Sequence, residues 1–132
     1  MPTLSNRTQL FTLLLLALSA CSPVPRETGY LEGQVAIGPL EPAMRVGEKP
    51  PTPAPEVYAA REIVVFRKNG KTEYTRFEID SSGWYRGELP VGTYIVDINH
   101  LGIDTAEGLP QEVTITAGAV IRLDIDIDTG IR

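Results

Sequence analysis

Cysteine, histidine and tryptophan each occur once in the 132 residues, and each scarcity closes off a class of chemistry. A single thiol cannot form an intrachain disulfide, so the fold must be held by its core alone. A single imidazole, His100, excludes multi-histidine metal centres and leaves one histidine at most for acid–base work. Cations are in deficit, with 12 Lys and Arg against 17 Asp and Glu, a formal net charge of −5. That is the wrong sign for a phosphate backbone, and nucleic acid is not expected as a partner. Close electrostatic docking on anionic lipid head groups is disfavoured for the same reason. No phosphate-cradling glycine loop is present, and no stretch carries a convincing helical period. The uncharged run from Leu10 to Ala20 covers eleven residues, well short of the roughly 20 that a helix needs to cross a bilayer.

That run has the makeup of a signal segment. Arg7 is the only side-chain charge ahead of it, and the small residues Ser19 and Ala20 follow, the order of a secretory leader. Leu18-Ser19-Ala20-Cys21 resembles a bacterial lipobox. The resemblance implies that the Cys21 sulfur takes a diacylglycerol, that a peptidase cuts before it, and that the new amino group is acylated too, with palmitate-type chains. Two or three chains hold a protein on a membrane where one holds it only marginally. The blander reading is a plain secreted protein with an incidental cysteine, or a cytosolic one with a buried thiol. Ser22 stands where many lipoproteins retained in the inner membrane carry Asp. This favours an outer-membrane destination, facing periplasm or exterior. Residues 1–20 are then the signal peptide, and residues 21–29 the lipidated cysteine with a Pro-containing tether of about 20 Å reach. Losing residues 1–20 removes Arg7 and no acid, so 11 cations face 17 anions and the net charge becomes −6.

Residues 30–132 form one domain, large enough for a core. Short runs of β-branched and aromatic residues alternate with Gly, Pro, Asn and Asp turns, which predicts seven strands: 30–37, 61–68, 71–79, 84–89, 93–99, 112–116 and 120–128. Asn69-Gly70 predicts a type I′ hairpin turn, and Asp80-Ser81-Ser82-Gly83 a turn with Asp bonding the following amides. In the last run Ile121, Leu123, Ile125 and Ile127 face in while Arg122, Asp124, Asp126 and Asp128 face out. The expected fold is all-β, a single antiparallel seven-stranded β-sandwich, with a small closed barrel as the other architecture. An insert, residues 38–57, holds Pro39, Pro42, Pro50, Pro51, Pro53 and Pro55 and cannot join a ladder well. It reads as a stiffened surface loop, in part polyproline II, or as a ligand for an aromatic groove on another protein.

The run Asp80-Ser81-Ser82-Gly83-Trp84-Tyr85, with Leu89-Pro90-Val91-Gly92-Thr93-Tyr94-Ile95-Val96, resembles the signature of carboxypeptidase regulatory-like domains. Glu32 to Val35, and Gly118 with Val120 to Ile127, resemble that family's first and last strands. The resemblance implies a transthyretin-like, Ig-like sandwich and a noncatalytic accessory or interaction module, here attached to lipid. Collagen-adhesin B-type domains carry an isopeptide bond between a first-strand Lys and a last-strand Asn. Neither residue occurs in Tyr30–Ile37 or Val120–Asp128, so no such cross-link is expected.

Candidate chemistry is sparse. Asp124, Asp126 and Asp128 lie at strand spacing, which suits either a solvated face that discourages aggregation or a weak ion site completed by Asp80 or Asp104. No resident metal or cofactor is expected. His100 reads as a loop histidine more readily than as a general base, and Asp80 with Glu78, or Glu107 with Glu112, specify no carboxylate separation. Trp84, Tyr85, Tyr74 and Tyr58 offer a possible sugar-stacking set, with Trp84 and Tyr85 the candidate ligand-facing pair. Adjacent residues on a strand point to opposite faces, so one of the two belongs in the core. The sequence thus points to a lipid-anchored, noncatalytic cell-envelope module with a structural or protein-interaction role and an unidentified envelope partner. Surface carbohydrate binding is the alternative.

Overall fold

The computed structural model describes residues 26–132. The signal segment, Cys21 and the tether as far as Pro25 lie outside the described residues. Within them the alternating pattern resolves into nine strands and one short helix: β1 (Thr28–Gly38), α1 (Pro55–Ala59), β2 (Glu62–Arg67), β3 (Glu73–Glu78), β4 (Trp84–Pro90), β5 (Gly92–Ile98), β6 (Thr105–Ala106), β7 (Gln111–Ile115), β8 (Val120–Arg122) and β9 (Ile125–Asp128). One sheet runs β4-β1-β9-β6, with β8 also on β1, and the other runs β3-β2-β5-β7. No helix among the described residues is long and apolar enough to cross a membrane.

The two-sheet, nearly all-β architecture is as expected, but the strand count and the uniformly antiparallel pairing are not. All seven expected runs form strands. The last one breaks at Leu123–Asp124 into β8 and β9, and the two-residue β6 is additional. Both β8 and β9 run parallel to β1, with Tyr30 beside Val120 and Ile37 beside Ile127. Tight turns force antiparallel pairing only between sequence neighbours, and almost the whole domain separates β1 from this run. The break has a local cause. Leu123 N–H donates to Glu32 C=O at 2.9 Å, and then the Asp124 carboxylate accepts the Gln34 N–H at 2.9 Å in place of a backbone carbonyl. The Leu123 carbonyl is left to accept the Tyr85 hydroxyl at 2.5 Å.

Leu31, Val35 and Ile37 of β1, Ile63 and Val65 of β2, Tyr94, Val96 and Ile98 of β5 and Ile125 and Ile127 of β9 fill the space between the sheets. Each fully buried side chain of this size removes enough apolar surface from water to contribute roughly 1.5–3 kcal/mol. The phase expected for residues 120–128 holds, with Ile125 and Ile127 buried and Asp124 and Asp126 exposed. Val64, within the unbroken apolar run of β2, is buried on the outer face as well, between its register neighbours Arg76 and Asp97.

The turns refine the expectations. Asp80 behaves as expected: its Oδ1 accepts from the Ser82 and Trp84 amides, both at 2.9 Å. Gly83 adopts φ +81° and donates to the Asp80 carbonyl. The hairpin between β2 and β3 is not type I′, because Gly70 alone takes positive φ. Gly70 N–H closes on Arg67 C=O at 2.8 Å, while the Asn69 carboxamide oxygen accepts the Lys71 and Thr72 amides. The asparagine thus stabilises a wider turn through its side chain, and β3 starts at Glu73. The Pro-rich insert is only partly irregular. Pro55 opens α1, where a missing N–H is harmless, and Tyr58 on this helix is buried in the core.

β1 also gives the domain two unlike ends. Its eleven residues span about 33 Å at roughly 3.3 Å per residue. Near Thr28, where the tether joins, the connections are short: Val91 N–H bonds Glu27 C=O and Gly118 N–H bonds Thr28 C=O. Near Gly38 lie the insert, the 80–83 turn, the 99–110 loop and the chain after Thr129, which donates to Gly38 C=O.

Candidate functional site

Among the described residues, long loops, titratable groups and exposed apolar side chains meet at the far end. Arg61, between α1 and β2, reaches Asp104 in the 99–110 loop through Nε to Oδ2 at 2.7 Å and Nη2 to Oδ1 at 3.3 Å. Nη1 donates to the Val57 carbonyl at 2.9 Å. The two side chains are 11% and 4% exposed, so this is a buried forked ion pair. Asn99 adds a second stitch: its Oδ1 accepts the Glu62 amide at 3.3 Å and its Nδ2 donates to Ala60 C=O at 3.1 Å. The loop is therefore fastened to the α1–β2 junction from two points. None of this is visible in sequence, because the paired residues stand far apart along the chain and neither sits in a motif.

His100 occupies the same loop at φ +46°, a conformation uncommon outside glycine, asparagine and aspartate. Its Nδ1 faces the Asp104 carbonyl at 3.1 Å and its Nε2 the Asp97 carboxylate at 3.0 Å. Both neighbours are acceptors, so the doubly protonated ring satisfies both. The Asp97 hydrogen bond, then that to Asp104, holds the imidazole pKa above its usual value. A raised folded-state pKa contributes stability in full below the ordinary value, and that stability is lost as pH rises through the folded one. Expected is a small extra fall in chemical-unfolding midpoint from about pH 6.5 upward that His100→Asn abolishes. Equal pH slopes for the two proteins would refute it. In this geometry His100 fastens a loop.

The acidic row does not converge. Asp124 is committed to the Gln34 amide and to Arg122, which together hold its carboxyl below the usual range. Asp128 is held low by Arg132 and by the Gly130 amide. Asp80 is taken up by its own turn and Asp104 by Arg61, so neither joins the row. Among the described residues no group of three or more His, Cys, Asp or Glu is arranged to hold a metal ion. Beside the row, a hollow of about 440 Å³ is lined by Gly38, Pro39, Thr105, Ala106, Glu107, Asp126 and Asp128.

The aromatics are dispersed. Tyr85, one of the two candidate ligand-facing residues, is a core residue at 1% exposure, because β4 turns alternate side chains inward and this one fills the space opposite Gly33. Burial, with Asp124 and Glu32 nearby, pushes its phenol well above the usual value. Trp84 does face outward, but the Arg122 guanidinium lies 5.1 Å from its ring centroid. Tyr30, on the same sheet, is covered likewise by Arg86 at 4.4 Å. Tyr74 packs on Tyr94 in the other sheet and Tyr58 is buried. No two of the four aromatics named for sugar stacking share an open plane. Cys21 lies outside the described residues.

No family model matches the chain, and no curated protein matches it in sequence. Solved structures do. A crystal structure of GBS52, the minor pilin of the Gram-positive pathogen Streptococcus agalactiae, superposes over 80% of this chain with a TM-score of 0.53 at 19% identity. The Bacillus anthracis TIE protein superposes over 78%, with a TM-score of 0.53 at 15% identity. A DUF3823 family protein from Parabacteroides merdae reaches a TM-score of 0.44 at 12% identity over 78%. The chain spans less than half of each of these proteins, 46%, 17% and 47% of their respective lengths. At such identities the likeness is one of fold: residues 26–132 form a β-sandwich of the kind seen in the minor pilin and the TIE protein.

Proposed function

We propose that this chain is a lipid-anchored, noncatalytic module of the cell envelope, held by acyl chains on Cys21, of the carboxypeptidase regulatory-like kind, and serving a structural or protein-interaction role. The observation that carries the reading is the polarity of β1. The chain enters the sandwich at the end with short turns, and every long loop lies at the other. A tether with a reach of about 20 Å and a strand of about 33 Å together allow the loop end up to roughly 50 Å from the membrane surface. This arrangement suits a module that meets a partner away from its anchor. The excess of acids in the mature chain supports it by keeping the domain off anionic lipid. Ser22 favours the outer membrane. The sandwich folds of the minor pilin and the TIE protein are consistent with a surface module.

The test is intact mass and fractionation of the full chain in a bacterial host with two membranes, beside Cys21→Ser. Expected for the natural sequence are loss of residues 1–20, a mass gain equal to three acyl chains with glycerol, and recovery in the outer-membrane fraction. Cys21→Ser is expected to lose the acyl mass and the membrane association. Natural chain that stays soluble with a free thiol refutes the anchor.

A further inference from the structure

We infer that the turn at Leu101–Asp104, with the acidic hollow beside it, is the docking surface of this module, and that it takes a protein offering an apolar socket flanked by a basic side chain. The inference rests on the interaction-module reading above and names its surface. Ile103 is 72% exposed and Leu101 44%, with Ile131 beside them at 38%. Scattered single apolar residues on a surface need no explanation, but Leu101 and Ile103 share one turn, and Ile131 directly follows Gly130, over which Ile103 lies. Ile103 lies so close over Gly130 that a Cβ there would overlap its side chain.

The tip is also held rigid. Asp104 N–H closes the turn on the Leu101 carbonyl at 3.0 Å. The Asp104 side chain below it is locked by Arg61, and His100 before it is in a left-handed conformation. Burying an ion pair and bending a histidine into that region are both unfavourable in isolation. A polar turn would join β5 to β6 without exposing two branched aliphatics. Fixing them in place lowers the ordering entropy lost on binding, which a docking surface exploits.

Charge identifies the occupant. Thr105 and Asp128 connect the tip to the hollow, where Glu107 and Asp126 make no ion pair among the described residues. The apolar tip is thus flanked by free carboxylates. Another copy of this acidic chain, or an anionic bilayer, meets repulsion there, whereas a cationic side chain beside an apolar patch is complementary.

The experiment is chemical-shift mapping on ¹⁵N-labelled mature chain carrying Cys21→Ser, titrated with the peptide acetyl-Arg-Leu-Arg-Leu-amide and, separately, with acetyl-Glu-Leu-Glu-Leu-amide. Expected are shifts confined to Leu101–Glu107 and Asp126–Ile131 with the basic peptide alone. Its apparent affinity should fall about fivefold on raising ionic strength from about 0.05 to 0.5 M, and similarly in Ile103→Ser and Glu107→Lys. Both positions are exposed, so an otherwise unchanged spectrum verifies the fold. Equal shifts with both peptides, shifts on another face, no shifts at millimolar peptide, or indifference to Ile103→Ser would overturn the assignment. Each of these leaves the anchored-module reading intact, since that reading stands or falls on acylation and fractionation.

Discussion

Gly33→Ala is expected to destabilise the domain by about 3 kcal/mol or more, the upper range for forcing one methyl into a packed interior. Gly33 lies at the centre of β1, buried, with β4 on one side and the β8–β9 break on the other. A Cβ there would overlap the Leu123 carbonyl and press on the Tyr85 ring. Neither neighbour can withdraw. Tyr85 is fully enclosed, and its hydroxyl is bonded to that same carbonyl. The Leu123 carbonyl is fixed in turn because the Leu123 N–H is bonded to Glu32 C=O and the side chain of the next residue, Asp124, accepts the Gln34 N–H. Gly38→Ala, at the end of the same strand, is the matched control. Nothing lies within 4 Å of its added methyl, so its effect should stay within about 0.5 kcal/mol, typical of a neutral surface change. Guanidinium unfolding of the two variants decides the matter. Equal midpoints would show that the close approach at Gly33 is not a constraint on the fold.

The second large effect is expected at the buried ion pair. Arg61→Met leaves the Asp104 carboxylate, 4% exposed, without its partner, and such an orphaned charge costs about 3–5 kcal/mol. Against a total of roughly 5–15 kcal/mol for a domain, that is a large fraction. The same substitution removes the donor to Val57 C=O, through which Arg61 links α1 to the loop, and leaves only the Asn99 stitch to Ala60 and Glu62. Limited proteolysis should therefore cut the exposed 41–54 segment sooner in Arg61→Met than in the natural chain. The double variant Arg61→Met/Asp104→Leu replaces both charges by apolar groups of similar size, and should return to within about 1 kcal/mol of the natural chain. A single variant no less stable than the double would show that the pair is not desolvated.

Side-chain alternation found seven of the strand-forming runs and their inward faces, because it is set by the pleat itself, whereas the two-residue β6 is too short to show it. Ile125 and Ile127 against Asp124 and Asp126 are the clearest instance. Turn chemistry was legible where one residue both bonds and bends, as at Asp80 and Gly83, and misleading where the side chain chose a wider loop, as at Asn69. The short helix had a signal, Pro55 followed by an acid at Glu56 in its first turn, but five residues are too few for a period. Partner and direction of a strand are tertiary facts, so the parallel seating of β8 and β9 on β1 had no local trace. The far-end network was hidden for the same reason. Arg61, Asn99, His100 and Asp104 are unremarkable singly, and only the fold brings them together.

Parallel seating of the last run on the first strand has a consequence for biogenesis. β1 is among the first segments of the domain to leave the ribosome. One of its edges finds β4, but the other waits for Val120–Asp128, so the Gln34 amide receives its Asp124 acceptor only after 90 residues of intervening synthesis. Non-local pairing of this kind is slow and late. For most of its synthesis the nascent domain therefore lacks half of its first sheet and cannot lock into its final compact form. The first sheet is thereby kept open on one edge until Val120–Asp128 arrive to complete it.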